Sequence, residues 1–286
     1  MKKFKLISIF IILFLLTGCS SKNINVFSDN TDNTYNTYNT DNKDNKDNKD
    51  NKDNTDNTDN TDNNLPDTVR WFNATYAILT EMNNCDYNLV GGISPDDTFA
   101  VLSMHASLKE YWDIVDKATL DEQLKWLIDE GGHNKYLLEE YKYNELSDFT
   151  REELIYVLSD ESFTDEDRAY YLATYDAVEK YGENAIVAWD LCRAMYLAAI
   201  SYVCGYYTYE EAMDISLEIA TKLQSTYTSW DDMVNSYLYG FQFWAKEDPF
   251  NPESESYERI IIYNELKEKQ DGPYSIDWNH KLIKEW

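Results

Sequence analysis

The chain lacks the short signatures that most often betray catalysis. Its 286 residues contain no G-x-S-x-G elbow, no H-E-x-x-H and no glycine-rich phosphate loop. Histidine is scarce: His105, His133 and His280 are the whole set, and none stands at ligand spacing from another. No metal and no cofactor is therefore expected, although His133 with Glu139 or Glu140 is the one place where a zinc site can be imagined. Cysteine is scarce too. Beyond Cys19 there are only Cys85, Cys192 and Cys204, an odd number that excludes complete pairing within the chain. Cys192 and Cys204 lie about 18 Å apart along a straight helix and cannot bond to each other. Small buried thiols are the expected state, with a bridge from Cys85 to either as the alternative. Positive charge is short as well, with 25 Lys and Arg against 53 Asp and Glu. The deficit concentrates in residues 65–286, where 17 basic residues face 43 carboxylates. Such a field repels nucleic acid phosphates and favours a basic protein partner, polyamines or divalent cations.

What is present begins at the N-terminus. Lys2, Lys3 and Lys5 precede an apolar run from Leu6 to Leu16, followed by Leu16-Thr17-Gly18-Cys19. The basic start and the run of eleven residues describe a secretory signal too short to span a bilayer. The closing four residues resemble the lipobox of bacterial lipoproteins. The resemblance implies cleavage after residue 18, diacylation of Cys19, and a chain held to the lipid bilayer of the cell envelope on its extracytoplasmic side. Residues 19–64 then repeat Asp-Asn-Thr and Asp-Asn-Lys triplets with almost nothing to bury, as expected of a disordered tether. Calcium binding by these aspartates fits poorly, because their register is three and no glycine makes the turn of an EF-hand loop.

Residues 65–286 read as one all-α domain. Ser94, Thr119, Thr150, Thr164, Thr208 and Ser229 each have an acidic residue three positions later, a repeated helix-start signal. Helices are predicted over 67–82, from Ser94-Pro95 through His105, and over 120–129, 135–142, 151–158, 165–181, 210–223, 230–244 and 255–269. The stretch 185–204, AIVAWDLCRAMYLAAISYVC, carries only two charges, Asp190 and Arg193. A helix apolar on every side belongs at the centre of a bundle. Its two charges then lie among packed side chains and are expected to pair at i,i+3 spacing.

The cluster Trp112-Asp113-Ile114, Trp126-Leu127, Gly132-His133 and Tyr136 precedes a second one. That one holds Trp189-Asp190-Leu191, Arg193, Gly205-Tyr206, Glu211-Ala212, Ser229-Trp230, Tyr237, Gly240 and Trp244. Together they resemble the bacterial family catalogued as domain of unknown function 1266, over about 105–286. Asn134 departs from that pattern, where arginine would be expected after Gly132-His133. The resemblance implies family membership and no activity, cofactor or catalytic residue.

Three residues are the candidates for chemistry. Asp190 beside Arg193 could move a proton or hold an anion. His133 follows Gly131-Gly132, where an imidazolium would complement the end of the preceding helix. Tyr239 and Phe243, on the outer face of the 230–244 helix, are the candidate partner surface. The twenty-four tyrosines could serve such a surface or simply fill helix interfaces. The sequence thus favours an anchored, acidic protein-binding module. The alternatives are a hydrolase around Asp190, Arg193 and His133, or a structural envelope component. An exposed aromatic patch ringed by acids would favour the binder, and a solvent-reaching Asp190 or His133 the hydrolase.

Overall fold

The computed structural model describes residues 65–286, and among them every regular element is helical. The expected signal sequence, lipid attachment at Cys19 and tether fall on residues outside those described. Eleven α-helices follow in order: α1 Asp67–Thr75, α2 Ala77–Met82, α3 Thr98–Trp112, α4 Lys117–Ile128, α5 Gly132–Tyr143, α6 Arg151–Leu158, α7 Asp165–Tyr181, α8 Val187–Val203, α9 Tyr209–Thr226, α10 Trp230–Ala245 and α11 Glu255–Glu268.

Helix α8 is the central helix expected from its composition. Its residues from Ala188 to Ile200 are buried almost without a break, Arg193 being the exception. Helices α9 and α10 pack along it, α4 and α5 close another side, and α7 covers the far face of α10. Among the described residues no single helix is long and apolar enough to cross a membrane. Cys192 and Cys204 are buried free thiols, so neither is bridged to Cys85. The approach of α10 is close because Gly240 has no side chain. A Cβ there would stand 2.2 Å from Trp189 Cβ, well inside van der Waals contact.

Local start signals place most of the helices. Thr150, Thr164 and Thr208 each cap their helix and are capped in return by Glu153, Asp167 and Glu211. Ser229 caps α10 through the Asp232 N–H. Two expected starts move by three residues. Helix α3 begins after Asp97, whose carboxylate accepts the Ala100 N–H, and Ser94 only shapes the preceding turn. Helix α4 begins after Asp116, with Thr119 as its reciprocal partner. In both cases an aspartate replaces the expected hydroxyl cap, Asp97 three residues after Ser94 and Asp116 three residues before Thr119. The single helix expected over 67–82 breaks at Tyr76 (φ −117°) into α1 and α2.

The C-terminal segment returns to the core. Trp278 packs against Trp71 in a tilted contact and against Trp230 edge-to-face, at ring distances of 5.2 and 4.9 Å. The indole N–H groups of Trp71 and Trp230 donate to the Trp278 and Ile276 carbonyls at 3.1 and 2.8 Å. Trp286 ends the chain against Phe72 and donates to Asp214 at 2.9 Å.

Candidate functional site

Helix α5 starts without a cap of its own. The residue before it, Gly131, sits in the left-handed region (φ +87°) and has no side chain to take the first free N–H groups. Asp190, reaching across from α8, supplies the missing acceptor. Its Oδ1 accepts the His133 N–H at 3.0 Å and its Oδ2 the Asn134 N–H at 2.9 Å. The negative carboxylate also meets the positive end of the helix. His133 Nδ1 donates to the same Oδ1 at 2.7 Å. Asp190 is 3 % exposed and His133 17 %, so these bonds form where an unmade one is costly.

The capping is reciprocal. Asn134 Oδ1 accepts the Ile186 N–H at 2.8 Å, and its Nδ2 donates to the Glu183 carbonyl at 2.8 Å. One helix start therefore holds the other. Asn134 is the position where arginine was expected, and the smaller amide suits these two bonds. Gly132 makes the approach feasible: a Cβ there would lie 2.5 Å from Asp190 Cγ, and its φ of +44° already disfavours other residues.

Arg193 does not pair with Asp190, contrary to expectation. Asp190 accepts instead from the His133 ring, because α5 draws the carboxylate toward its N–H groups and His133 fills the space beside Arg193. The guanidinium carbon lies over the rings of Trp112 and Trp189, at 4.3 and 4.7 Å from their centroids. Arg193 Nη1 stands 3.3 and 3.4 Å from His133 Nδ1 and Nε2. With the Nδ1 proton on Asp190, Nε2 is the acceptor that faces the guanidinium. Trp126, which points away from the α4 stripe, meets His133 edge-on at 4.8 Å.

Burial pulls the His133 pKa below its ordinary 6.5 and the nearby Arg193 charge lowers it further, against the opposing hydrogen bond to Asp190. The imidazole is neutral at pH 7. It therefore cannot complement a helix end as an imidazolium. It also lies in the first turn of α5, beside the positive end of that helix rather than beyond the end of α4. Burial likewise lowers Arg193, to about 10, which leaves it charged.

A cavity of about 190 Å³ lies beside Asp190, lined among others by Leu127, Asn134, Leu191 and Lys222. The carboxylate forms part of its wall, but both oxygens are engaged by α5. A general base needs a lone pair directed at a substrate proton, and this one is turned to the protein. Glu139 and Glu140 do not join His133. Glu140 accepts from Asn144 at 3.0 Å, and among the described residues no three His, Cys, Asp or Glu side chains could hold a metal ion.

The expected partner surface is not exposed. Phe243 is buried under Tyr170, with rings stacked at 4.8 Å, and Tyr239 is half-buried with Tyr181 at its edge. Helix α7 covers the face of α10 that was expected to be open. The sequence did not point to Trp112 and Trp126 as walls of the Arg193 site, nor to Asn134 as a cap. One signal was available: a helix that opens on Gly-Gly has no local cap and must receive one from elsewhere.

A family model described as protein of unknown function (DUF1266) matches residues 107–278, more than half of the chain. The chain belongs to the DUF1266 family. No curated protein and no solved structure matches it. The DUF1266 segment contains Trp112, Trp126, His133, Asn134, Trp189, Asp190, Arg193 and Gly240, which come together from α3, α4, α5, α8 and α10. It leaves out α1 and α2.

Proposed function

We propose that this DUF1266 protein is a lipid-anchored, extracytoplasmic binding module that holds a basic protein partner on the outer face of α5 and α6. The observation that carries the reading is the make-up of that face. Tyr143 is 77 % exposed and Tyr156 80 %, with Tyr136, Ile155 and Val157 also exposed. Between residues 136 and 161 eight carboxylates stand against two basic residues, Lys142 and Arg151. Arg151 is already bound through Nε and Nη2 to Asp176 at 2.7 and 2.9 Å. Exposed aromatic side chains amid uncompensated acids suit a cationic protein surface, with the rings as anchors and the charge as steering. Acylation of Cys19 would keep the binding face at the membrane.

The test uses the full-length chain in detergent as bait for envelope extract, eluted by a salt step. A stoichiometric basic protein should elute as salt rises, because screening weakens surface charge contacts. It should be lost from a Tyr143→Ser, Tyr156→Ser double variant. Retention by that variant, or a partner that is not basic, would sink the reading. Incorporation of labelled palmitate, abolished by Cys19→Ser, tests the anchor separately.

A further inference from the structure

The side of the site that faces Arg193 has hydrogen-bond donors without acceptors. Residues 65–286 contain five arginines. Arg70, Arg151, Arg168 and Arg259 each lie 2.9 Å or less from a carboxylate. Arg193 forms no such pair, in a domain with 43 carboxylates to choose from. Its contacts are two indole faces and the ring of one neutral histidine. A guanidinium carries five N–H donors, and only Nη1 is directed to His133. The indole N–H of Trp189, one of the two rings against the guanidinium, is buried with no acceptor at all. Meanwhile Asp190, the nearest carboxylate on the same helix, is occupied by the start of α5.

We propose that Arg193 is the receptor for the carboxylate group of a small organic acid, bound edge-on to the guanidinium beside Trp112 and Trp189. Four features fit this. Aromatic faces hold the guanidinium plane without consuming its N–H groups, so its edge stays available for two parallel bonds to one carboxylate. Trp189 is buried and Trp112 half-buried, so they shield part of the half-buried guanidinium and leave it a side open to a ligand. The reciprocal caps of α5 and α8 fix His133 and so fix the position of Nη1. The acidic surface elsewhere does not forbid an anion here, because charges farther than about 8 Å are largely screened at physiological ionic strength. This site is independent of the α5–α6 face, and either could fail without the other.

Benzoate, acetate and inorganic phosphate are the probes, each titrated into the full-length protein against chloride at constant ionic strength. Two signals are read: tryptophan emission and the Arg Nε–Hε resonances, where Arg193 is identified as the one missing in Arg193→Lys. Benzoate should shift both signals saturably, acetate more weakly, and phosphate less than either. Arg193→Lys should weaken benzoate about tenfold, since an ammonium cannot offer a planar fork. Arg193→Met, checked for folding by circular dichroism, should abolish the response. The proposal is overturned if benzoate moves neither signal beyond chloride in the wild type. It is equally overturned if phosphate binds more tightly than benzoate, or if folded Arg193→Met responds as the wild type does. The tryptophan titration of the wild type stands even if a variant does not fold.

Discussion

The core around α8 and the corner formed by α6 with the outer face of α7 are built on different principles. Around α8, apolar side chains from nine other helices and from the C-terminal segment meet in one continuous cluster with it, and polar groups buried among them cap one another. In the corner, Leu146, Leu154, Leu158 and Tyr175 form a separate small cluster with a few half-buried aromatic neighbours. Helix α6 has only eight residues, too few to be stable in isolation. It is held by two buried leucines, a capping box and the Arg151–Asp176 fork. A region with few buried contacts opens locally at lower free energy than the whole molecule. The comparison separates two requirements. The proposed anion site at Arg193 is set in the rigid part, and the proposed partner face on the part that can open.

The sharpest way to break that comparison is to remove the link at the centre. Asp190→Ala leaves the His133 and Asn134 N–H groups and the His133 ring without their acceptor. The expected loss is roughly 3 kcal/mol, since each buried donor left unpaired costs about 1–3 kcal/mol, and it should be global. Chemical denaturation would read it, and amide exchange should rise across α8, α9 and α10 together. An unchanged midpoint would mean that the α5 start does not need Asp190.

Leu154→Ala probes the corner instead. The deleted side chain belongs to a small cluster whose neighbours can relax into the space, so a loss near the low end for buried leucine is expected, about 2 kcal/mol. Its signature is spatial. Amides of α6 should exchange faster while those of α8 keep their protection. Equal loss in both places would make core and corner one cooperative unit and would remove the reason for placing an adaptable surface on α6.

Where the sequence was informative, the reason is that the signal is local. Helix α8 could be read from twenty residues with two charges, and α6 and α7 from a hydroxyl followed by an acid three positions on. Both kinds of signal depend on neighbours in the chain. Starts failed where an aspartate three residues away capped the helix in place of the expected hydroxyl, as at Asp97 and Asp116, since spacing alone does not rank two candidate caps. Site geometry failed for a different reason. The i,i+3 rule puts Asp190 and Arg193 on one side of a helix but says nothing of a third partner from 57 residues away. His133 came between them. Tyr239 and Phe243 looked outward because helical periodicity finds the face opposite the core, and it cannot see that α7 provides a second covering layer.

His133 supplies the finest test of how the core holds its charges. Burial lowers its folded pKa below the ordinary 6.5, with Arg193 adding to the effect. The folded protein therefore prefers the neutral ring, and the unfolded chain takes up a proton first as pH falls. The unfolded state binds more protons in that interval, so stability falls with pH. The contribution is complete above about 6.5, the unfolded value, and is lost as pH drops through the lower folded value. The acidic surface titrates over part of the same range, so the wild type must be compared with His133→Gln, whose side chain keeps a donor but does not ionise. From pH 7.5 to 5 the wild type should lose more stability than the variant. The corner should show no such difference, because the imidazole lies outside it: exchange in α6 should change equally with pH in both proteins. Parallel stability curves would mean that the imidazole is not held neutral by its surroundings. The junction of Asp190, His133 and Arg193 would then carry a second positive charge, and the surplus of donors around Arg193 would be larger still.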